Sequence, residues 1–376
     1  MDTPLPTWIA ALILVFCGGL CNPSASAQKT VNCYCSLDRP ISEAVLLSFE
    51  KQTGIKVAWT FDTEATKTVG LVNRIISERS NPRCDVYWNN ELAQTIRLKN
   101  EGLLQPYRAP NAASIPAGFK DPEGYWTGFA ARARVLIYNR DLMGDDPLPR
   151  GLHDLLDARW DGKMSMAKPL TGTTLTHAAA LFSVWGEEKA KQFFRDIRKR
   201  QIYFSRGNAM SMKAVGEGEY HWSWTDTDDA NVALINNKPT AMVIPDQGDG
   251  EMGTLVIPNS VAIIAGAKNL SNAKKLVDYL LSVEVEQKLA AGRSAQIPLH
   301  PGVSAPDSVL RLEDIKAMEV DWNDVAKMIT LHGEWLQAEF EGQGSEESGD
   351  KGRLFLYLVL GAFAAMIVVF LIRKRS

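Results

Sequence analysis

Asp38, Asp62, Glu64, Glu91, Asp226, Asp228 and Asp229 all sit at or just after the ends of short apolar runs in this chain of 376 residues. Hard cations prefer oxygen donors, so such a set suits a metal ion, a metal chelate or a cationic organic ligand. Ser36, Asn89, Asn90, Thr225 and Thr227 lie among them and add neutral polar groups. A second group has the opposite preference. Thr171-Gly172-Thr173-Thr174 offers hydroxyls and backbone N–H groups at a helix start, which favours an anion, and Arg206 and Asn208 lie where they would join it. Several of these residues also have plainer roles. Asp228 or Asp229 suits the cap of a helix expected over 230–236, Thr173 and Thr174 suit caps, and Glu64 suits the first turn of a helix. Asp226, slightly earlier, is the better ligand candidate, so the metal-ligand candidates are Asp38, Asp226 and Asp228.

Catalysis has little support. The chain has no Gly-x-Ser-x-Gly elbow, no His-Glu-x-x-His and no Cys/His zinc spacing, and only five histidines. His177 after Thr173 and Thr174, and Ser205 before Arg206, leave an exported hydrolase as the weakest alternative. The chain reads as a binding protein and not an enzyme, with no resident cofactor. A net charge of −3 gives no reason to expect nucleic acid.

The elements that must carry these residues follow one grammar, a packed strand ending in polar groups. Val86-Tyr87-Trp88 ends in Asn89-Asn90-Glu91, and a helix follows over 92–100. Val31 to Cys35 ends in Ser36 and Asp38, and Lys56 to Phe61 ends in Asp62 and Glu64. Lys163 to Ala167 leads to Thr171, and Tyr220 to Trp224 ends in Thr225 to Asp229. In open α/β sheets, ligands bind outside the carboxyl ends of strands. Helical spacing over 41–52 and 67–80, between the first strands, gives βαβ units. Further helices are expected over 177–185, 187–197, 272–282, 284–292 and 322–340, and strands over 133–138, 240–244 and within 253–266. Trp59, Trp88, Trp222 and Trp224 are expected in the core. Cys33, Cys35 and Cys84 read as buried small apolar residues with at most one bridge.

The ends of the chain carry targeting signals. Trp8 to Leu20 is apolar and Ala25-Ser26-Ala27 fits a cleavage site, so 1–27 reads as a signal peptide, although Asp2 stands where a basic residue is usual. Leu354 to Ile372 is a run of 19 residues without a charge, long enough to cross a hydrocarbon core of roughly 30 Å. Arg373-Lys374-Arg375 follows, as the positive-inside rule asks. A Gly/Ser/Glu linker over 342–353 and a tail over 373–376 complete a periplasmic body with a single-pass C-terminal anchor.

Phe49-Glu50-Lys51-Gln52-Thr53-Gly54-Ile55-Lys56-Val57, Asp85 to Glu91, Gly102 to Tyr107, Thr254 to Val261 and Leu276 to Ser282 occur in an order that resembles bacterial extracellular solute-binding proteins of iron(III)-type ABC importers. The similarity spans roughly 30–300. It implies an α/β, two-lobed type II periplasmic binding protein-like fold with two crossing hinge strands; the C-terminal transmembrane helix is an addition to that pattern. The lobes divide as 28–128, 129–245 and 246–310, followed by a helical segment over 311–341. The resemblance implies an ABC permease and its ATPase as partners, a monomeric body, and ferric iron as the transported ligand. Where ferric members carry adjacent tyrosines, this chain has Thr227 and Asp228; where a histidine is common it has Asp38; and Asn90, beside Glu91, stands near a usual glutamate. Iron binding here would therefore use carboxylates in place of tyrosines, with an anion on the Thr171–Thr174 turn. A small oxyanion or organic ligand, or a sensing role, remains the alternative.

Overall fold

Residues 29–62 and 69–341 are described by a computed structural model of the chain. The expected signal peptide, Glu64, the expected linker, the apolar run at 354–372 and the residues after it lie outside them. Among the described residues no helix is long and apolar enough to cross a membrane.

The first βαβ units appear as the apolar periodicity requires. They are β1 (Thr30–Cys35), α1 (Arg39–Thr53), β2 (Lys56–Phe61), α2 (Val69–Ser77), β3 (Val86–Asn89), α3 (Ala93–Asn100) and β4 (Leu104–Gln105). Gly54, at φ 68°, ends α1 in the left-handed conformation that glycine adopts without a Cβ penalty. The chain then enters β5 (Thr127–Asn139), thirteen residues long, and the short α4 (Arg140–Met143). The second unit comprises β6 (Met164–Ala167), α5 (Gly172–Trp185), α6 (Glu187–Lys199), β7 (Ile202–Ser205), α7 (Asn208–Gly216), β8 (Trp222–Asp226), α8 (Thr227–Ile235) and β9 (Thr240–Val243). β10 (Val256–Ile264) returns to the first unit, followed by α9 (Leu270–Leu280), α10 (Val283–Ala291) and α11 (Trp322–Glu341).

One mixed sheet runs through both lobes in the order β2-β1-β3-β10-β5-β8-β6-β7, with β4 on β10 and β9 on β5. β1 is parallel to β2 and β3 in lobe one, and β6 is parallel to β7 and β8 in lobe two. β5 and β10 are antiparallel to their neighbours and to each other, and they are the two crossing strands. Each face of the sheet carries one apolar cluster. Tyr87, Leu136, Met164, Trp222 and Trp224 lie on one side, and Val31, Val86, Trp88, Ile137 and Ile263 on the other. α11 packs on α3 of lobe one and α5 of lobe two, so the last helix touches both. Cys33, Cys35 and Cys84 are buried, and no disulfide joins them among the described residues.

One local expectation is corrected, and two elements, β7 and α7, were not anticipated. α8 starts at Thr227 rather than Ala230, because β8 stays paired with β5 through Asp226 and leaves only Asp226 as the turning residue. β7 and α7 carry no strong periodicity: α7 reads Asn-Ala-Met-Ser-Met-Lys-Ala-Val-Gly, with apolar residues almost all round.

The loop entering β10 stores a pH-dependent cost. Asp246 sits at φ 56° and is nearly buried, with its backbone tied to Arg150 and Gly253. Burial, and then the nearby Glu251, push its carboxyl up to about 6. A carboxyl whose value is raised in the fold prefers to be neutral there. The resulting penalty is therefore absent below the unfolded value of about 3.9 and complete above about 6. Asn tolerates the left-handed backbone. Asp246→Asn should thus stabilise the chain by about 1 kcal/mol at pH 8, after allowance for solvent screening. It should do little at pH 4, which urea unfolding at the two pH values checks.

Candidate functional site

The carboxyl ends of β1 and β3 in lobe one and of β6 and β8 in lobe two converge on a cavity whose back is β5. Asp38, Asn90, Arg132, Thr171, Thr173, Thr174, Asn208, Asp226, Asp228 and Asp229 line it, together with Gly172 and Gly207. The enclosed space is about 20 Å³. That leaves room for an ion with one or two water-sized partners.

Lobe two supplies most of the wall. Asp226 ends β8, and Asp228 and Asp229 stand in the first turn of α8, where the helix dipole favours acids. One oxygen from each of these three carboxylates lies within 4.8 Å of the others. Like charges this close need a positive partner. Arg134, 1% exposed, provides one: its Nη1 donates to Asp226 Oδ1 at 2.6 Å. Thr173 Oγ1 and Asn208 Nδ2 donate to the other oxygen of Asp226 at 2.5 and 3.0 Å. Asp226 is therefore fully engaged with protein groups. Arg132, two residues back on the same face of β5, stands 3.5 Å from Asp228 Oδ2. Burial opposes its charge, but Asp228, Asp226, Asp38 and Asp229 outweigh that and hold the guanidinium above its ordinary range. Asp229 Oδ2 accepts from Thr225 Oγ1 at 2.9 Å.

The other expected residues are elsewhere. Glu91, fully buried, accepts from Asn89 Nδ2 at 2.8 Å, from the Gln94 N–H at 2.9 Å and, across the lobes, from Thr176 Oγ1 at 3.0 Å. Burial raises its carboxyl, and those donors pull the other way. Ser36 donates to Asn89 and Asn90 and so joins the ends of β1 and β3. Asp62 accepts from the Leu71 N–H at 3.3 Å, at the start of α2. Thr227 Oγ1 accepts from the Ala133 N–H at 3.2 Å. Arg206 is exposed. None of Ser36, Asp62, Asn89, Glu91, Arg206, Thr225 and Thr227 lines the cavity, and Glu64 is outside the described residues. Arg132 and Arg134 were not anticipated. Their signal is a pair of arginines at i, i+2 inside an otherwise apolar strand, which puts two guanidiniums on one buried face.

A sequence profile described as bacterial extracellular solute-binding protein matches residues 94–328. The chain belongs to that family. The expected kinship with the binding components of iron(III)-type importers holds, and with it the two-lobed fold, the extracytoplasmic setting and the non-catalytic role. Iron uptake protein A1 of Synechocystis sp. is 26% identical over 302 residues, covering 77% of this chain and 81% of that one. A putative 2-aminoethylphosphonate-binding periplasmic protein of Salmonella typhimurium is 25% identical, covering 74% and 81%. The crystal structure of apo ferric ion-binding protein A from Pasteurella haemolytica superposes with a TM-score of 0.72 at 25% identity, over 83% of this chain and 97% of that one. Family membership makes this a solute-binding protein, whose chemistry is capture and release and not turnover.

Proposed function

We propose that the chain captures a hard metal cation between its lobes, ferric iron accompanied by a small anion, and delivers it to an ABC permease and its ATPase. Charge carries this reading. Asp38, Asp226, Asp228 and Asp229 face the two arginines 132 and 134, so the site is two charges negative. Ferric iron with one monoanion, such as bicarbonate, brings that to zero. A phosphonate or sugar phosphate would deepen the excess in a small, largely buried space, which is costly. Asp228, Asp229 and Asp38 are the carboxylates proposed to hold the metal, with Asp226 as their buttress. Arg132 and the Thr171–Thr174 turn suit the anion. Among the described residues the cavity has no tyrosine in its lining, so carboxylate oxygens would do what phenolates do elsewhere.

The lobe boundaries proposed above, 28–128, 129–245 and 246–310, put Asp38 and Asn90 on one side of the cleft and the Asp226–Asp229 cluster on the other. Closure would then complete the site. Tethering through residues 354–372 is part of the same proposal and would keep a monomeric receptor beside its permease.

Equilibrium dialysis of the detergent-solubilised chain against ferric nitrilotriacetate, with elemental analysis, tests the assignment. Asp228→Asn and Asp229→Asn should each weaken uptake by at least about tenfold, or about 1.4 kcal/mol. Asp62→Asn, remote from the cavity, should not. If both cavity variants keep full affinity, or 2-aminoethylphosphonate outcompetes iron, the site belongs to an organic phosphonate instead. That second reading has one observation in its favour, the acidic cluster lying beside the α5 N-terminus.

A further inference from the structure

Behind Arg134, away from the cleft, lobe two contains a second small cavity. Leu152, Leu155, Met166, Leu181, Phe194 and Trp224 form apolar walls around about 20 Å³. Arg134, Thr174 and His177 also line it. Three atoms of this lining have no hydrogen-bond partner among the described residues: Trp224 Nε1, and the pair Arg134 Nε and His177 Nε2. Arg134 and His177 are only 1% and 5% exposed.

An unsatisfied buried donor or acceptor costs about 1–3 kcal/mol. One water needs about 10–15 Å³ and two or more polar partners, and this cavity supplies both. The two atoms of the pair are also complementary. Arg134 Nε can only donate. Burial, and then Arg134 itself, hold the His177 imidazole well below its ordinary range, so it is neutral and one ring nitrogen is a bare acceptor. The register supports the placement. Arg134 pairs with Asp226 and Leu136 with Trp224 on adjacent strands, and the His177 ring lies 5.3 Å from that of Trp224. Thr173, Thr174 and His177 follow one another on the inner face of α5.

We propose that a resident water in this cavity accepts from Arg134 Nε–H and donates to His177 Nε2, which makes His177 a positioning residue of the binding site. Arg134 is then held on three sides. Nη1 meets Asp226 and Thr173, Nη2 meets Thr174 at 3.4 Å, and Nε meets the water. Held in this way, the guanidinium stays on Asp226 and away from the carboxylates proposed to take the metal. The water stands whatever the cargo; its effect on binding rests on the cation reading above.

Nitrogen-15 spectroscopy of histidine-labelled full-length protein tests the arrangement directly. His177 should stay neutral between pH 6 and 8, with its proton on Nδ1 and a hydrogen-bonded, unprotonated Nε2. A crystal structure fine enough to order waters should show one between the two side chains. A proton on Nε2, or a dry cavity, overturns the proposal even if His177 variants fail to fold. For function, His177→Phe should weaken ferric nitrilotriacetate binding about three- to tenfold, the worth of one lost anchoring hydrogen bond, and His177→Gln should recover part of it. Unchanged affinity in His177→Phe refutes the positioning role. If wild type binds no iron while the Asp228→Asn test also fails, the cation reading has fallen, and the tautomer and water still decide this proposal.

Discussion

Arg134→Met should destabilise the chain by about 3–5 kcal/mol, the usual cost of stranding one member of a buried ion pair. The guanidinium is 1% exposed and the Asp226 side chain 4%, and they meet at 2.6 Å. Methionine preserves much of the stem's packing, so the loss is mainly electrostatic. Asp226 would keep Thr173 and Asn208 as donors, but two neutral groups do not replace a cation. Lysine is a poor rescue, because a single ammonium cannot reach Asp226, Thr173 and Thr174 together as the planar fork does. The double variant Arg134→Met/Asp226→Leu should recover more than half of the loss by removing both charges. Guanidinium unfolding of the four proteins of this cycle gives the coupling. A coupling below about 0.5 kcal/mol would mean that the two groups are not energetically paired.

That pair also shows how far the sequence could be read. Strands ending in polar residues, separated by amphipathic helices, predicted the βαβ order, and β1, β2, β3, β6 and β8 appear within a few residues of expectation. The apolar runs over 133–138 and 253–266 likewise correspond to the crossing strands β5 and β10. Strand ends locate the cleft because the fold brings carboxyl termini together; they do not say which way each side chain points. Glu91 and Asn89 share a strand end with Asn90, but only Asn90 faces the cavity, while the other two satisfy α3, each other and Thr176. Asp226 stood out as a ligand for its position, yet its oxygens are taken by Arg134, Thr173 and Asn208. Those partners are distant in sequence and become neighbours only through strand pairing. Arg132 and Arg134 sit in the middle of an apolar strand, where position suggests core, and their charge has meaning only beside Asp228 of α8 and Asp226 of β8.

Glu286→Ala should be at least as damaging as Arg134→Met, about 3–5 kcal/mol, although Glu286 lies outside the binding site. Its carboxylate is wholly buried in α10. Oε1 accepts from the Ala130 N–H at 2.8 Å and the Leu299 N–H at 2.9 Å. Oε2 accepts from the His300 N–H at 2.8 Å, and His300 Nδ1 lies 3.0 Å away. Alanine would leave these backbone donors buried without partners, each costing about 1–3 kcal/mol before any relaxation. One of them matters to the hinge. Ala130 has φ 42°, a left-handed backbone that alanine rarely adopts, at the point where the pairing of β5 and β10 shifts register. Such a conformation costs about 1–3 kcal/mol and persists only where its surroundings impose it. Glu286 on the N–H side and Asn259 on the carbonyl side are what impose it. Adding Ala130→Gly to Glu286→Ala should therefore return about 1 kcal/mol by removing the backbone strain. Ala130→Gly alone should stabilise by a similar amount, since the same strain is relieved whether or not Glu286 is present. Denaturant unfolding measures all three variants. Hydrogen exchange at residues 129–131 should quicken most in Glu286→Ala if the bulge loosens. Unaltered exchange there, alongside a large loss of stability, would show that Glu286 supports the 299–300 segment and not the crossing strand.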